Sequence, residues 1–82
     1  MLYIKYPNVL QAKPAPDYTI ILTYENGEIR TFDVKPYICG EWFGELKNPE
    51  IFNTVRPCGN TVEWIDGQDI APHELYDLSQ PC

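Results

Sequence analysis

The chain has 82 residues and carries twelve acidic against six basic side chains, a net charge of -6. That length holds one domain, expected over residues 1–82, because folded domains cluster near about 100–150 residues and a shorter chain cannot build two cores. The charge excludes a phosphate-tracking surface, which needs clustered cations, whereas Lys5, Lys13, Arg30, Lys35, Lys47 and Arg56 stand singly.

Prolines at 7, 14, 16, 36, 49, 57, 72 and 81 exclude any long helix, so strands and short helices must make the fold. Tyr3, Ile4 and Tyr6 would add an edge strand or a dimer contact. Residues 8–13 read as a strand, stopped by a stiff turn through Pro14, Ala15 and Pro16. Residues 18–24 and 28–34 are β-rich runs joined through Asn26-Gly27, the strongest short hairpin signal. A two-residue loop would set Phe32 and Val34 on the opposite face from Ile20 and Leu22. A three-residue loop closed by Gly27 in a bulge puts Tyr18, Ile20, Leu22, Tyr24, Phe32 and Val34 on one face, and we expect this form because a one-residue slip flips a whole side-chain set. The other face then carries Thr19, Ile21, Thr23, Ile29, Thr31 and Asp33.

Ile38, Trp42, Phe43 and Leu46 fall at helical spacing, which predicts a short amphipathic helix over residues 40–47. Pro49 suits a first helical position, with Ile51, Phe52 and Val55 inward. A second hairpin is expected over residues 54–58 and 61–65, its tip at Gly59-Asn60 and its first strand confined by Pro57 to an edge or bulge. Asp66-Gly67 makes a turn, and Pro72 opens one helical turn that docks Leu75 and Tyr76. The sum is an α+β fold: an antiparallel sheet of about five strands, built from an N-terminal strand plus two β-hairpins, with two short helices. Of the two tryptophans, Trp64 at the end of a strand should be core, and Trp42, like Tyr37 near Gly40, partly exposed.

The strings Asp17-Tyr-Thr-Ile20, Tyr24-Glu-Asn-Gly27-Glu28, Phe32-Asp-Val34, Trp42-Phe43-x-x-Leu46, Phe52 and Val62-Glu-Trp-Ile-Asp-Gly-Gln-Asp-Ile-Ala-Pro-His-Glu-Leu-Tyr76 resemble the bacterial family catalogued as domain of unknown function 2442. The resemblance covers residues 8–77, and its closing Trp-x-Asp-Gly-x-Asp-x-x-Pro-x-x-Leu-Tyr string is specific. It implies a small α+β domain with an antiparallel sheet and two short helices, and it implies no established activity. It further implies a bacterial protein encoded beside another small one, in an arrangement like that of toxin and antitoxin. Longer members append a helix-turn-helix domain; this chain ends at Cys82 without one, so no direct nucleic-acid role is expected.

Asp66, Asp69, His73 and Glu74 put three carboxylates and an imidazole within nine residues, an inventory for a hard cation or a general acid–base pair. The structural alternative is that Asp66-Gly67 turns the chain while Asp69 and Glu74 satisfy the free N–H groups of the Pro72 helix. Asp33 would bond a loop N–H or a cation on a partner, or simply be solvated, and Ile21 and Ile29 on the same face make it the sheet surface best suited to another chain. Tyr37 and Trp42 complete the interaction candidates. Cys39, Cys58 and Cys82 are an odd, widely spaced set without a Cys-x-x-Cys pair, which speaks for free thiols in a reducing cytoplasm and against structural zinc. No apolar run reaches the roughly 18 residues of a membrane span. No phosphate loop, nucleophile elbow or zincin motif occurs. The reading is therefore a non-enzymatic cytoplasmic interaction domain without a cofactor, the antitoxin-like or regulatory member of a two-protein module. Its expected partner is a small basic protein, and a second copy is expected where self-assembly completes a thin core. The alternative is a metal-binding module or metal-dependent enzyme centred on Asp66, Asp69, His73 and Glu74.

Overall fold

The structure, a computed structural model that describes residues 6–82, is organised around the hairpin of β2 (Thr19–Tyr24) and β3 (Ile29–Asp33). Ile20 lies opposite Phe32, Leu22 opposite Arg30 and Thr23 opposite Ile29. Glu25, Asn26 and Gly27 form the loop: the Tyr24 N–H donates to the Glu28 carbonyl at 2.9 Å, the Gly27 N–H donates to the Tyr24 carbonyl at 3.0 Å, and Gly27 takes φ +91°. This is the expected bulged closure. Its consequence follows from the two-residue period of a strand: Ile20, Leu22, Tyr24, Phe32 and Val34 are all buried.

β1 (Val9–Ala15) pairs antiparallel with β2, Ala12 opposite Leu22 and Ala15 opposite Thr19. It outruns the expected residues 8–13 because it takes in Pro14, which an edge strand tolerates. The turn moves to residues 16–18, where Asp17 and Tyr18 adopt φ of 64° and 56°, costly for residues with a Cβ. Neighbours hold this turn in place. The Lys35 ammonium donates to the Asp17 carbonyl at 2.9 Å and to its carboxylate at 3.1 Å, and the Tyr18 hydroxyl donates to the Lys47 carbonyl at 2.6 Å. Of the N-terminal residues, Tyr3 and Ile4 lie outside the described residues, and Tyr6 meets Tyr76 edge-on at 5.7 Å.

The expectation of one sheet of about five strands needs correction. Among the described residues the main sheet has four strands, with the carboxy-terminal Gln80–Pro81 (β6) beyond β3 in the order β1-β2-β3-β6, and the second hairpin, β4 (Arg56–Cys58) with β5 (Thr61–Glu63), forms a separate two-stranded sheet. The free edge of β3 is already occupied by β6, with the Cys82 N–H donating to the Ile29 carbonyl at 3.0 Å. At the opposite edge, Pro57 has no N–H with which to extend a ladder, and the Val9 N–H reaches the Gly59 carbonyl at 2.9 Å. Both strands are shorter than the expected residues 54–58 and 61–65, since Trp64 already begins the next turn. There the Trp64 N–H donates to the Gln68 carbonyl, the Gly67 N–H donates to the Trp64 carbonyl, both at 2.9 Å, and Gly67 has φ +91°. Ile65-Asp66-Gly67 thus repeats the closure of Glu25-Asn26-Gly27.

Two short helices complete the α+β fold. In α1 (Pro49–Phe52), Pro49 takes a first-turn position and the Asn48 side chain accepts the Glu50 N–H at 3.0 Å, so one of the helix's orphan donors is satisfied. The second, α2 (Pro72–Leu78), runs two turns where one was expected; Leu75 is buried in the core and Tyr76 is half-buried. The helix expected over residues 40–47 is a 3₁₀ segment, Phe43–Lys47, because Gly40 leaves helical space at φ +74° and Gly44 lowers propensity inside it. Leu46 is nonetheless buried, as its spacing predicted. Trp64 is wholly buried, and its indole N–H donates to the Phe52 carbonyl at 3.0 Å, tying the second hairpin to α1.

Candidate functional site

The sheet face turned away from the core carries Ile21, half-buried, and Ile29, which is 50% exposed, among Thr19, Thr23 and Thr31. Asp33 lies at its end. The Lys35 backbone N–H donates to Asp33 Oδ1 at 3.0 Å and the Lys35 ammonium also lies 3.0 Å away, so both groups Asp33 was expected to seek are found within its own chain. The Lys35 N–H, and then its ammonium, hold the Asp33 carboxyl below its ordinary value.

The four residues of the carboxy-terminal string do not converge. Asp66 lies exposed at the turn, and Asp69 bridges to Glu63 through the backbone. Glu74 accepts the Tyr37 hydroxyl at 2.5 Å, and His73 is exposed 3.9 Å from the other Glu74 oxygen. Among the described residues no group of three or more His, Cys, Asp or Glu side chains is placed to hold a metal ion. The expected capping is also corrected. Ala71 occupies the N-cap of α2 and no side chain caps it, because Asp69 is drawn into the bridge and Glu74 is turned towards Tyr37. Tyr37, stacked obliquely on Phe32 at 5.6 Å, is pushed up to about 12 by burial and then by the Glu74 carboxylate.

Two clusters were not anticipated. At the tip of the first hairpin, Arg30 donates to Glu28 at 2.7 Å and to the Ser79 hydroxyl and carbonyl at 2.5 and 3.0 Å, and it lies 4.6 Å over the Tyr76 ring. The Tyr76 hydroxyl also donates to Glu28, and with Asn26 and Arg30 it lowers the Glu28 carboxyl below the ordinary range. Tyr24 beneath them is raised to about 12 by burial. Every charge here has a partner, so the cluster works as a clamp between β3 and α2. Glu28 and Arg30 two apart on one strand were the available signal, since that spacing shares a face.

The second cluster lies where the 3₁₀ segment meets the Ile65-Asp66-Gly67 turn. Trp42 is 51% exposed; its indole N–H donates to the Asp66 carbonyl at 3.3 Å, and Gly67 is packed against the ring. Gln68 is fully buried, and its Nε2 donates to the Trp42 carbonyl at 2.8 Å and to Glu45 Oε1 at 3.2 Å, while its Oε1 has no partner. The Glu45 carboxyl is raised above its ordinary value, first by its neighbour Asp66 and then by desolvation. In contrast to the clamp, no lysine or arginine among the described residues pairs with these two carboxyls.

A surface cavity of about 330 Å³ is lined by Tyr6, Pro7, Glu25 and Asn26; Tyr6 was expected in an edge strand or dimer contact, and none of the interaction candidates Ile21, Ile29, Asp33, Tyr37, Trp42, Asp66, Asp69, His73 and Glu74 lines it. No helix among the described residues is long and apolar enough to cross a membrane. No curated protein and no solved structure matches the chain. A family model described as protein of unknown function matches residues 9–81, taking in both clusters and the turn between them. Since that match spans nearly the whole fold, the chain belongs to the DUF2442 family.

Proposed function

We propose that the chain is a non-enzymatic interaction domain for a basic protein partner, and that it acts in the cytoplasm as the antitoxin-like or regulatory member of a two-protein module. The observation that carries this reading is how the charges are paired. Arg30 is committed to Glu28, Lys35 to Asp17 and Asp33, and Arg56 to Glu63 at 2.7 Å. Glu41, Glu45, Glu50, Asp66, Asp69 and Asp77 are all exposed and none pairs with a described lysine or arginine. Lys13 and Lys47 are the exposed cations left without such a pair among the described residues, so unpaired anions outnumber unpaired cations on the surface, which attracts a basic partner and repels polyanions.

The test is affinity capture of the tagged chain from its native cytosol at moderate salt, with intact mass spectrometry of the eluate. The expected result is a stoichiometric small basic protein that dissociates as salt is raised. Elution alone, or only with further copies of itself, would remove the two-protein reading and leave self-association.

A further inference from the structure

Two of the exposed carboxylates that no described lysine or arginine pairs, Glu45 and Asp66, lie beside a half-exposed tryptophan, Trp42. Glu45 follows Trp42, the N-cap of the 3₁₀ segment, by three positions, and its N–H donates to the Trp42 carbonyl at 3.3 Å, a 3₁₀ turn that brings side chains three apart onto one side. Asp66 comes to the same spot from the opposite turn, whose carbonyl accepts the Trp42 indole N–H. Behind them the amide of Gln68 is wholly buried, held by the Trp42 carbonyl and the Glu45 carboxyl, with its own oxygen unpartnered. A buried amide held against the Glu45 carboxyl fixes its position without neutralising it. Asp17 and Asp33, by contrast, share the Lys35 ammonium. Here Trp42 is half-exposed, and Glu45 and Asp66 are exposed with no described cation beside them.

We propose that Trp42, Glu45 and Asp66, backed by Gln68, form a socket for an arginine side chain of the partner. A guanidinium matches this set better than an ammonium, because it is planar, stacks on an indole face and presents a fork of donors to two carboxylates at once. The raised Glu45 carboxyl agrees: crowding by Asp66 is relieved when a cation arrives. The socket rests on the basic-partner reading, and it adds where that partner docks and through which side chain.

Titration of the ¹⁵N-labelled chain with a hexa-arginine peptide tests it, read at the Trp42 indole N–H and the Gln68 side-chain amide. Both resonances should shift saturably. The Glu45→Gln/Asp66→Asn double variant, its fold verified by the rest of its spectrum, should bind about tenfold more weakly, the effect of losing two exposed charge pairs. Hexa-lysine should move the Trp42 resonance less than hexa-arginine at equal concentration. Shifts confined to other acidic residues would overturn the socket while leaving a basic partner in place. No shift anywhere would overturn both. Saturation of the same resonances by millimolar magnesium chloride would overturn the arginine socket in favour of a cation site.

Discussion

Glu28 and Glu45 titrate in opposite senses, and the sign of each carries a consequence for stability. Glu28 has its folded pKa lowered, by the Tyr76 hydroxyl, Asn26 and Arg30. Its contribution is present above the ordinary glutamate range and is lost as pH falls through the lowered value. Glu45 has its folded pKa raised by Asp66 and desolvation. Its ionised form therefore costs stability at neutral pH, and that cost disappears as pH falls through the raised value towards the unfolded one. Glu28→Gln is expected to lower the urea midpoint at neutral pH and Glu45→Gln to raise it, with both differences closing in acid below the ordinary glutamate range. A Glu45→Gln chain less stable than its parent at neutral pH would show that Asp66 does not crowd it. The same pair of residues shows what was legible beforehand. Trp42 and Asp66 stood out by type, but Gln68 between Gly67 and Asp69 reads as surface, and its amide is tied down by the Trp42 carbonyl, 26 positions away.

At the scale of elements, one loop geometry is used twice. Gly27 and Gly67 both take φ +91°, and the residue opening each loop, Tyr24 or Trp64, is fully buried. The first loop was legible because Asn26-Gly27 joins two runs of period two. The second was legible only as a turn, since its return strand is a single bridge, Glu63 to Asp69. A Cβ at Gly27 would meet nothing within 4 Å, and at Gly67 it would sit 3.7 Å from the Trp42 ring, an ordinary contact. Strain in φ should therefore dominate at both. Gly27→Ala and Gly67→Ala should each cost about 1–2 kcal/mol in urea unfolding with an unchanged slope. A loss at Gly67 alone would point to packing against Trp42 instead. The start of α2 was legible from Pro72, but its uncapped end was not, because Asp69 and Glu74 have the right chemistry and the wrong neighbours. Ala71 sits at that N-cap with extended ψ of 133° and no side chain to offer. Ala71→Ser should add about 0.5–1 kcal/mol by accepting an orphan N–H of the first turn, and no gain in the thermal midpoint would mean that solvent already serves those donors.

The whole molecule holds a net charge of -6 within a radius of gyration of 12.3 Å. At about 10 mM ionic strength the screening length is roughly 30 Å, so each carboxylate feels all the others, while at about 150 mM it is roughly 8 Å and only close neighbours interact. Two effects of salt then compete. Screening weakens the internal pairs, but Lys35 with Asp17 and Asp33 and Arg56 with Glu63 are largely exposed, and exposed pairs are worth only about 0–1 kcal/mol each. The Arg30–Glu28 pair is the more sheltered one, with 14% of the Arg30 side chain exposed, and should be screened least. Relief of the net repulsion therefore wins, and the urea midpoint should rise as sodium chloride goes from about 10 to about 150 mM. Association with a basic partner draws on the same unpaired carboxylates with the opposite sign, so its affinity should fall over that interval. Folding and binding would then carry salt slopes of opposite direction from one set of side chains. A midpoint that falls with salt would mean that the internal pairs, not the outward acidity, dominate the electrostatics of this fold, and the charge argument for a basic partner would lose its footing.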